Sequence, residues 1–195
     1  MGTWRQASEP PADIEGPHAD PEQVARTILL RRLEDQPRTR AQLAGTLRER
    51  GVPDDVAVRV LDRFEEVGLI DDRLFARMWV DSRQAGRGLS ARALRSELRH
   101  RGVPDDVVAE ALAAVGPEQE LSAARTLARR KARSVAGLPR ATQVRRITGA
   151  LARKGYGAGL AAQVVREVLD AGDADPVAVD EPDADPVGTG DGWVD

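Results

Sequence analysis

Apolar residues recur at fixed distances from three glycines. Gly51, Gly102 and Gly155 lie 51 and 53 positions apart, and eight and four residues before them stand Leu43 and Leu47, Leu94 and Leu98, Ile147 and Leu151. At plus 5, 6, 9, 10 and 13 come Val56, Ala57, Val60, Leu61 and Phe64; then Val107, Val108, Ala111, Leu112 and Val115; then Leu160, Ala161, Val164, Val165 and Val168. Spacing of i, i+1, i+4, i+5 and i+8 marks one face of an α-helix. Each phrase is therefore helix, tight turn, helix, and the chain reads as a three-fold internal repeat.

Punctuation residues complete the units. Asp20-Pro21 reads as an N-cap followed by proline at the first helical position. The helix after it carries Val24, Ile28, Leu29 and Leu33 on one face and stops at Gln36-Pro37. Thr39 and Gln42 have capping-box spacing. Gly51 supplies a left-handed stop, and Pro53 with Asp54 and Asp55 opens the next helix. Repeat one is expected to hold helices near 21–35, 39–50 and 53–67. For repeat two the spacing predicts 72–84, 90–101 and 104–115, with Leu74, Phe75, Met78 and Trp79 inward, a flexible turn at Gly86-Arg87-Gly88, and Ser90 as a cap. Repeat three is expected to open near Pro117, turn at Gly137-Leu138-Pro139, and finish with helices near 140–154 and 158–170. The fold class is all-α: three tandem three-helix units, helix-turn-helix-like, in an elongated, curved array. Residues 1–20 form an acidic, disordered N-terminal tail in this reading; 21–70, 71–116 and 117–170 are the repeats; 171–195 is a second acidic, disordered tail.

Composition narrows the chemistry. Cysteine is absent, which excludes disulfides and thiolate metal sites. The two histidines, His18 and His100, have no partners at catalytic or ligand spacing. The carboxylate pairs Asp54/Asp55, Asp71/Asp72 and Asp105/Asp106 sit at predicted helix starts, where capping and the helix dipole account for them. Gly86-Arg87-Gly88 follows no strand and lacks a third glycine, so it is no phosphate loop. No catalytic residue, metal or cofactor is expected, and the chain is read as a non-enzyme. With no signal-like or membrane-length apolar run, the expected location is the cytoplasm.

The formal charge of -3 divides sharply along the chain. Residues 22–169 carry 28 Lys and Arg against 19 acids, a net of +9, while residues 170–195 hold nine acids and no base. From Leu121 to Val165 there are ten Lys and Arg and no acid. Arg92, Arg95 and Arg99 are spaced i, i+3, i+7, a guanidinium ridge. Such rows suit phosphates, whose condensed counterions are released on contact, and equally suit an acidic protein surface.

Gly68-Leu69-Ile70-Asp71-Asp72-Arg73-Leu74-Phe75-Ala76-Arg77, followed by Arg83, Gly86, Gly88 and the Leu98-to-Gly102 phrase, resembles the RecX family of regulatory proteins. Gly68, Asp71, Asp72 and Phe75 stand at that family's junction motif; in repeat one Gln42 stands where the family commonly has Glu. In the third copy Gly157 and Gly159 replace the Pro-Asp-Asp start, and the resemblance covers about 22–170. It implies a monomer that binds the RecA recombinase and its filament on single-stranded DNA, with weak direct DNA binding and no membrane. It further implies inhibition of ATP hydrolysis, strand exchange and repressor self-cleavage, in homologous recombination, DNA repair and the SOS response. Family position joined to charge nominates Arg73, Arg77, Arg83, Arg87, Arg92, Arg95, Arg99, Arg129, Arg130, Lys131, Arg145, Arg146, Arg153 and Lys154 as the contact set. Two rivals act independently of RecA. One is a sequence-specific helix-turn-helix DNA binder, against which the Pro-Asp-Asp starts speak. The other is a tetratricopeptide-like scaffold, whose period would be about 34 residues with two helices.

Overall fold

The computed structural model describes residues 20–174. Among these there are nine helices and no strand: α1 Pro21–Asp35, α2 Arg40–Glu49, α3 Asp54–Glu66, α4 Asp72–Arg87, α5 Ala91–His100, α6 Asp105–Ala113, α7 Pro117–Arg133, α8 Arg140–Arg153 and α9 Ala158–Ala174. Of the regions read as tails, 1–20 and 171–195, residues 1–19 and 175–195 lie outside the described residues.

The helix ends follow from the capping chemistry. Asp20 accepts the Glu22 N–H at 3.1 Å. Thr39 Oγ1 accepts the Gln42 N–H at 3.2 Å while Gln42 Oε1 accepts the Thr39 N–H at 3.1 Å, a closed capping box. Ser90 caps α5 through the Ala93 N–H. All three repeat glycines adopt left-handed φ, 72° at Gly51, 76° at Gly102 and 88° at Gly155. The same two bonds close each turn. Gly51 N donates to Arg48 O and Val52 N to Leu47 O; Gly102 N and Val103 N do likewise with Arg99 and Leu98, as do Gly155 N and Tyr156 N with Ala152 and Leu151. This is a Schellman stop, which satisfies orphan carbonyls of the ending helix and aims the next residue inward. Val52, Val103 and Tyr156 are accordingly buried.

Each repeat closes its own apolar core. In repeat one α1 and α2 pack on α3, burying Ala25, Leu29, Leu43, Leu47, Val60 and Phe64. In repeat two α4 and α5 pack on α6 around Phe75, Trp79, Leu94, Leu98 and Val108. In repeat three α7 and α8 pack on α9 around Ala124, Ala128, Ile147, Leu151 and Val164. Burying one Leu or Ile side chain contributes about 1.5–3 kcal/mol, so these stripes supply most of the driving force.

Three helix expectations need correction. The inward stripe of α4 is rotated: Phe75, Ala76, Trp79 and Val80 are buried, whereas Leu74 and Met78 are 48% and 43% exposed. Helix α4 also runs on through Gly86 to Arg87, and only Gly88, at φ 55°, leaves the right-handed region. Helix α9 continues four residues past Asp170, to Ala174.

Repeats two and three are tied through their turns. Ser90 N donates to Lys154 O at 3.0 Å and Tyr156 Oη to Gly88 O at 3.0 Å. Ala91 N donates to Glu120 Oε1 at 3.2 Å. Gly155 sits so close to α5 that a β-carbon on it would lie 2.5 Å from Ser90 Oγ and 2.8 Å from Ala93 Cβ. Glycine is needed there twice, for its φ and for its lack of a side chain. Burial raises the Tyr156 hydroxyl to about 12, with the Glu120 charge adding to the effect.

Candidate polyanion-binding surface

The sequence-nominated cations fall into two groups. Most of those in repeat two are engaged within the repeat. Arg73 Nε lies 3.0 Å from Glu110 Oε2, Arg77 lies 4.0 Å from the same carboxylate, and Arg99 Nε lies 2.6 Å from Asp105 Oδ1. Arg92 Nε donates to the Gly155 carbonyl at 3.1 Å and so belongs to the tie between repeats. Arg95 is exposed at the middle of the ridge. Asp105 thus has a local cation partner besides its place in the first turn of α6.

Arg83 is the one nominated cation that is buried, at 5% exposure. Its guanidinium lies over the Trp79 ring at 4.2 Å, and the Arg101 guanidinium lies over the same ring at 3.9 Å. Trp79 Nε1 donates to Glu97 Oε2 at 2.9 Å, and Arg83 Nε is 3.9 Å from that oxygen. Phe75 stacks on Trp79 with ring centroids 5.7 Å apart. Each desolvated cation–π contact contributes about 1–2 kcal/mol. Arg83 is a core residue of repeat two, and its burial removes it from any contact surface. The signal for this was present: Trp79 and Arg83 are i, i+4 neighbours on one helix face.

Repeat three is arranged differently. Arg125 Nε holds Glu167 Oε2 at 2.8 Å, and Arg140 reaches Asp170 Oδ1 at 2.6 Å and the Leu169 carbonyl at 3.2 Å. The Arg125 guanidinium, with help from the Gln163 amide, holds the Glu167 carboxyl below its usual range. These two pairs join α7 and α8 to α9. The remaining cations, Arg129, Arg130, Lys131, Arg133, Arg145, Arg146, Arg153, Lys154 and Arg166, make no ion pair within 4 Å among the described residues, although the Arg129 charge also acts on Glu167. Arg129, Arg130, Arg145, Arg146 and Arg153 are exposed; Lys131 and Lys154 are half-buried. Helix α9 also opens without an acid in its first turn, unlike α3 and α6.

A cavity of about 400 Å³ opens between the end of α4 and the outer face of α7. Arg87 and Arg130 line it, together with Gln84, Gln119, Ser122 and Thr126, and none of its lining residues is acidic. Sequence reasoning nominated both arginines and missed the polar residues between them. Among the described residues no cluster of His, Asp and Glu could hold a metal ion, and no helix is long and apolar enough to cross a membrane.

Family models describing the first, second and third three-helix domains of RecX match residues 25–64, 71–112 and 118–165. The chain is 52% identical over 170 residues to the regulatory protein RecX of Thermobifida fusca, covering 86% of this chain and 90% of that one. It is 51% identical over 154 residues to the regulatory protein RecX of Streptomyces lividans, covering 79% and 82%. The crystal structure of RecX from Lactobacillus salivarius superposes with a TM-score of 0.69 at 19% identity, over 76% of this chain and 97% of that one, a likeness of fold. With all three domains matched in order and half of the aligned positions identical to curated relatives, the chain belongs to the RecX family of regulatory proteins.

Proposed function

We propose that this protein regulates the RecA recombinase by binding its filament on single-stranded DNA and lowering its ATPase, strand-exchange and co-protease activities. The observation that carries this reading is the uncommitted cation surface of repeat three, in a chain whose relatives are regulatory proteins. Exposed arginines contribute little to folding, since surface pairs are worth about 0–1 kcal/mol, so their accumulation points to a partner. A filament that carries DNA offers both phosphates and acidic protein side chains to such a surface. Arg129, Arg130, Lys131, Arg145, Arg146, Arg153 and Lys154 form the principal contact set, with Arg87, Arg92 and Arg95 beside them. Arg73, Arg77 and Arg99 contribute at their outer edges, because each shares its charge with a carboxylate. The protein acts in the cytoplasm as a monomer, without catalysis of its own.

The test is ATP hydrolysis by the recombinase on single-stranded DNA, titrated with the parent chain and with Arg129→Glu/Arg145→Glu/Arg146→Glu. Parent inhibition with at least tenfold weaker inhibition by the variant is expected. Equal inhibition by the two would move the working surface off repeat three, and no inhibition by the parent would end the proposal.

A further inference from the structure

Repeat three gathers exposed cations at the end where its last helix stops. Arg140, in the first turn of α8, reaches the Leu169 carbonyl at 3.2 Å and Asp170 Oδ1 at 2.6 Å, so the end of α9 lies against the start of α8. Arg125 of α7 holds Glu167 of α9. Arg133 stands about two turns beyond Arg125, and Ala174 about two turns beyond Glu167. The last turn of α7, with Lys131 and Arg133, therefore reaches the level at which α9 ends. On α8, Arg145 and Arg146 are exposed, and Val144 beside them is 40% exposed. Charge divides unevenly across Ala174. Residues 117–170 carry eleven Lys and Arg against four acids, whereas residues 175–195 carry seven acids and no base. The cation excess of the repeat equals the acid count of the segment that follows it.

We propose that this surface, Lys131 and Arg133 on α7 with Arg145 and Arg146 on α8, receives the chain's own segment 175–195. Its acids meet the guanidinium groups, and Val177 and Val179 meet Val144. A single exposed ion pair is weak, but a tethered segment is present at an effective concentration on the order of millimolar, and several of its acids can engage together. Reach does not restrict the contact, because 21 residues span at most about 70 Å and α8 is about 21 Å long. A partner's carboxylates would have to displace acids that the chain itself holds beside the surface. The contact thus acts as a shield that yields only to a partner of denser negative charge. It goes beyond the regulatory reading and is measured without the recombinase.

The experiment uses the chain's two lysines, Lys131 and Lys154, both in repeat three. A water-soluble carbodiimide joins a carboxylate to an amine with loss of water, so it reports which acids approach these positions. The full chain is treated at low salt and at about 0.5 M salt, and the monomer is isolated and mapped by tandem mass spectrometry. Links from Lys131 to acids of 175–195 are expected, about threefold more abundant than links from Lys154 at the far end of α8, and about fivefold fewer at high salt. Arg133→Gln/Arg145→Gln/Arg146→Gln keeps both lysines and is expected to lower the yield about threefold with the melting temperature unchanged. Arg48→Gln/Arg50→Gln, on repeat one, is expected to leave the yield as it is. Absence of these links from the monomer would overturn the proposal. Equal yields at the two salts would mark random collision of a tether, and equal yields from the parent and the triple variant would place the contact elsewhere; either result overturns it. Links found only between chains would assign the surface to a partner's carboxylates and overturn it too. Each of these results leaves the ATPase titration to decide the regulatory reading separately.

Discussion

Repeats two and three have the same three-helix plan and the same glycine turn, yet they use arginine in opposite ways. In repeat two most of the guanidinium groups are taken up internally: Arg83 and Arg101 enclose Trp79, Arg73 and Arg77 share Glu110, and Arg99 holds Asp105. In repeat three, among the described residues, Arg125 and Arg140 hold ion pairs with acids, and the nine other cations, Arg166 included, hold none. The difference lies in the acids rather than the bases. Repeat two places Glu97, Asp105 and Glu110 within reach of its arginines, whereas 121–165 contains no acid at all. A residue type therefore does not announce its role; its neighbours decide whether it is structural or available.

The comparison breaks most visibly at the buried end. Leu94→Asp would place an unpaired charge at a fully buried site in repeat two. A loss of about 3–5 kcal/mol is expected. Urea denaturation followed by far-UV circular dichroism would measure it. Arg83→Ala should cost about 2–3 kcal/mol through lost stacking and packing, while Arg145→Ala should leave the melting temperature within about one degree. Comparable melting shifts for the two would erase the distinction between structural and available arginines.

The α4 misassignment shows where sequence stopped being sufficient. Glycine offsets locate α2, α3, α5, α6, α8 and α9 because their stripes are wholly apolar. On α4 the buried face includes Arg83, and a charged residue argues against its own face being inward. The apolar stripe Leu74, Phe75, Met78 and Trp79 sets the face about one residue early, with Leu74 and Met78 in place of Ala76 and Val80. Only the i+4 step from Trp79 and the presence of Glu97 on the next helix could have reversed it. The cleft was out of reach for another reason: it joins residues some 40 positions apart across an inter-repeat tie. That tie depends on Tyr156 and Gly155, which the repeat pattern reads as an imperfect copy.

Smaller effects sharpen the picture at that tie. Gly155→Ala should cost about 2–3 kcal/mol, against about 1 kcal/mol for Gly51→Ala, since both have left-handed φ but only Gly155 faces Ser90 and Ala93. Equal losses by thermal melting would show that α5 yields to a methyl group. Tyr156 sets an alkaline limit. Its folded pKa, about 12, lies above the ordinary 10, so its stabilising contribution is whole below pH 10 and declines as pH rises toward 12. Between those limits the parent should lose up to about 2 kcal/mol that Tyr156→Phe does not lose. Parallel pH profiles for the two proteins would show that the hydroxyl ionises as freely folded as unfolded. The smallest change concerns charge outside the described helices. Removing 175–195 takes away seven acids and should strengthen oligonucleotide binding severalfold at low salt, fading near 0.5 M. Unchanged affinity at low salt would mean that those acids do not compete with the strand.

Three separate cores have a kinetic consequence. Every buried residue of a core lies within about 50 positions of its core partners: Ala25 to Ile70, Phe75 to Leu112, Ala124 to Leu169. Chain closure over such short spans costs little entropy, and helical proteins of low contact order fold in microseconds to milliseconds. A nascent chain can complete its first core before the second has been synthesised, so little apolar surface waits for a distant partner.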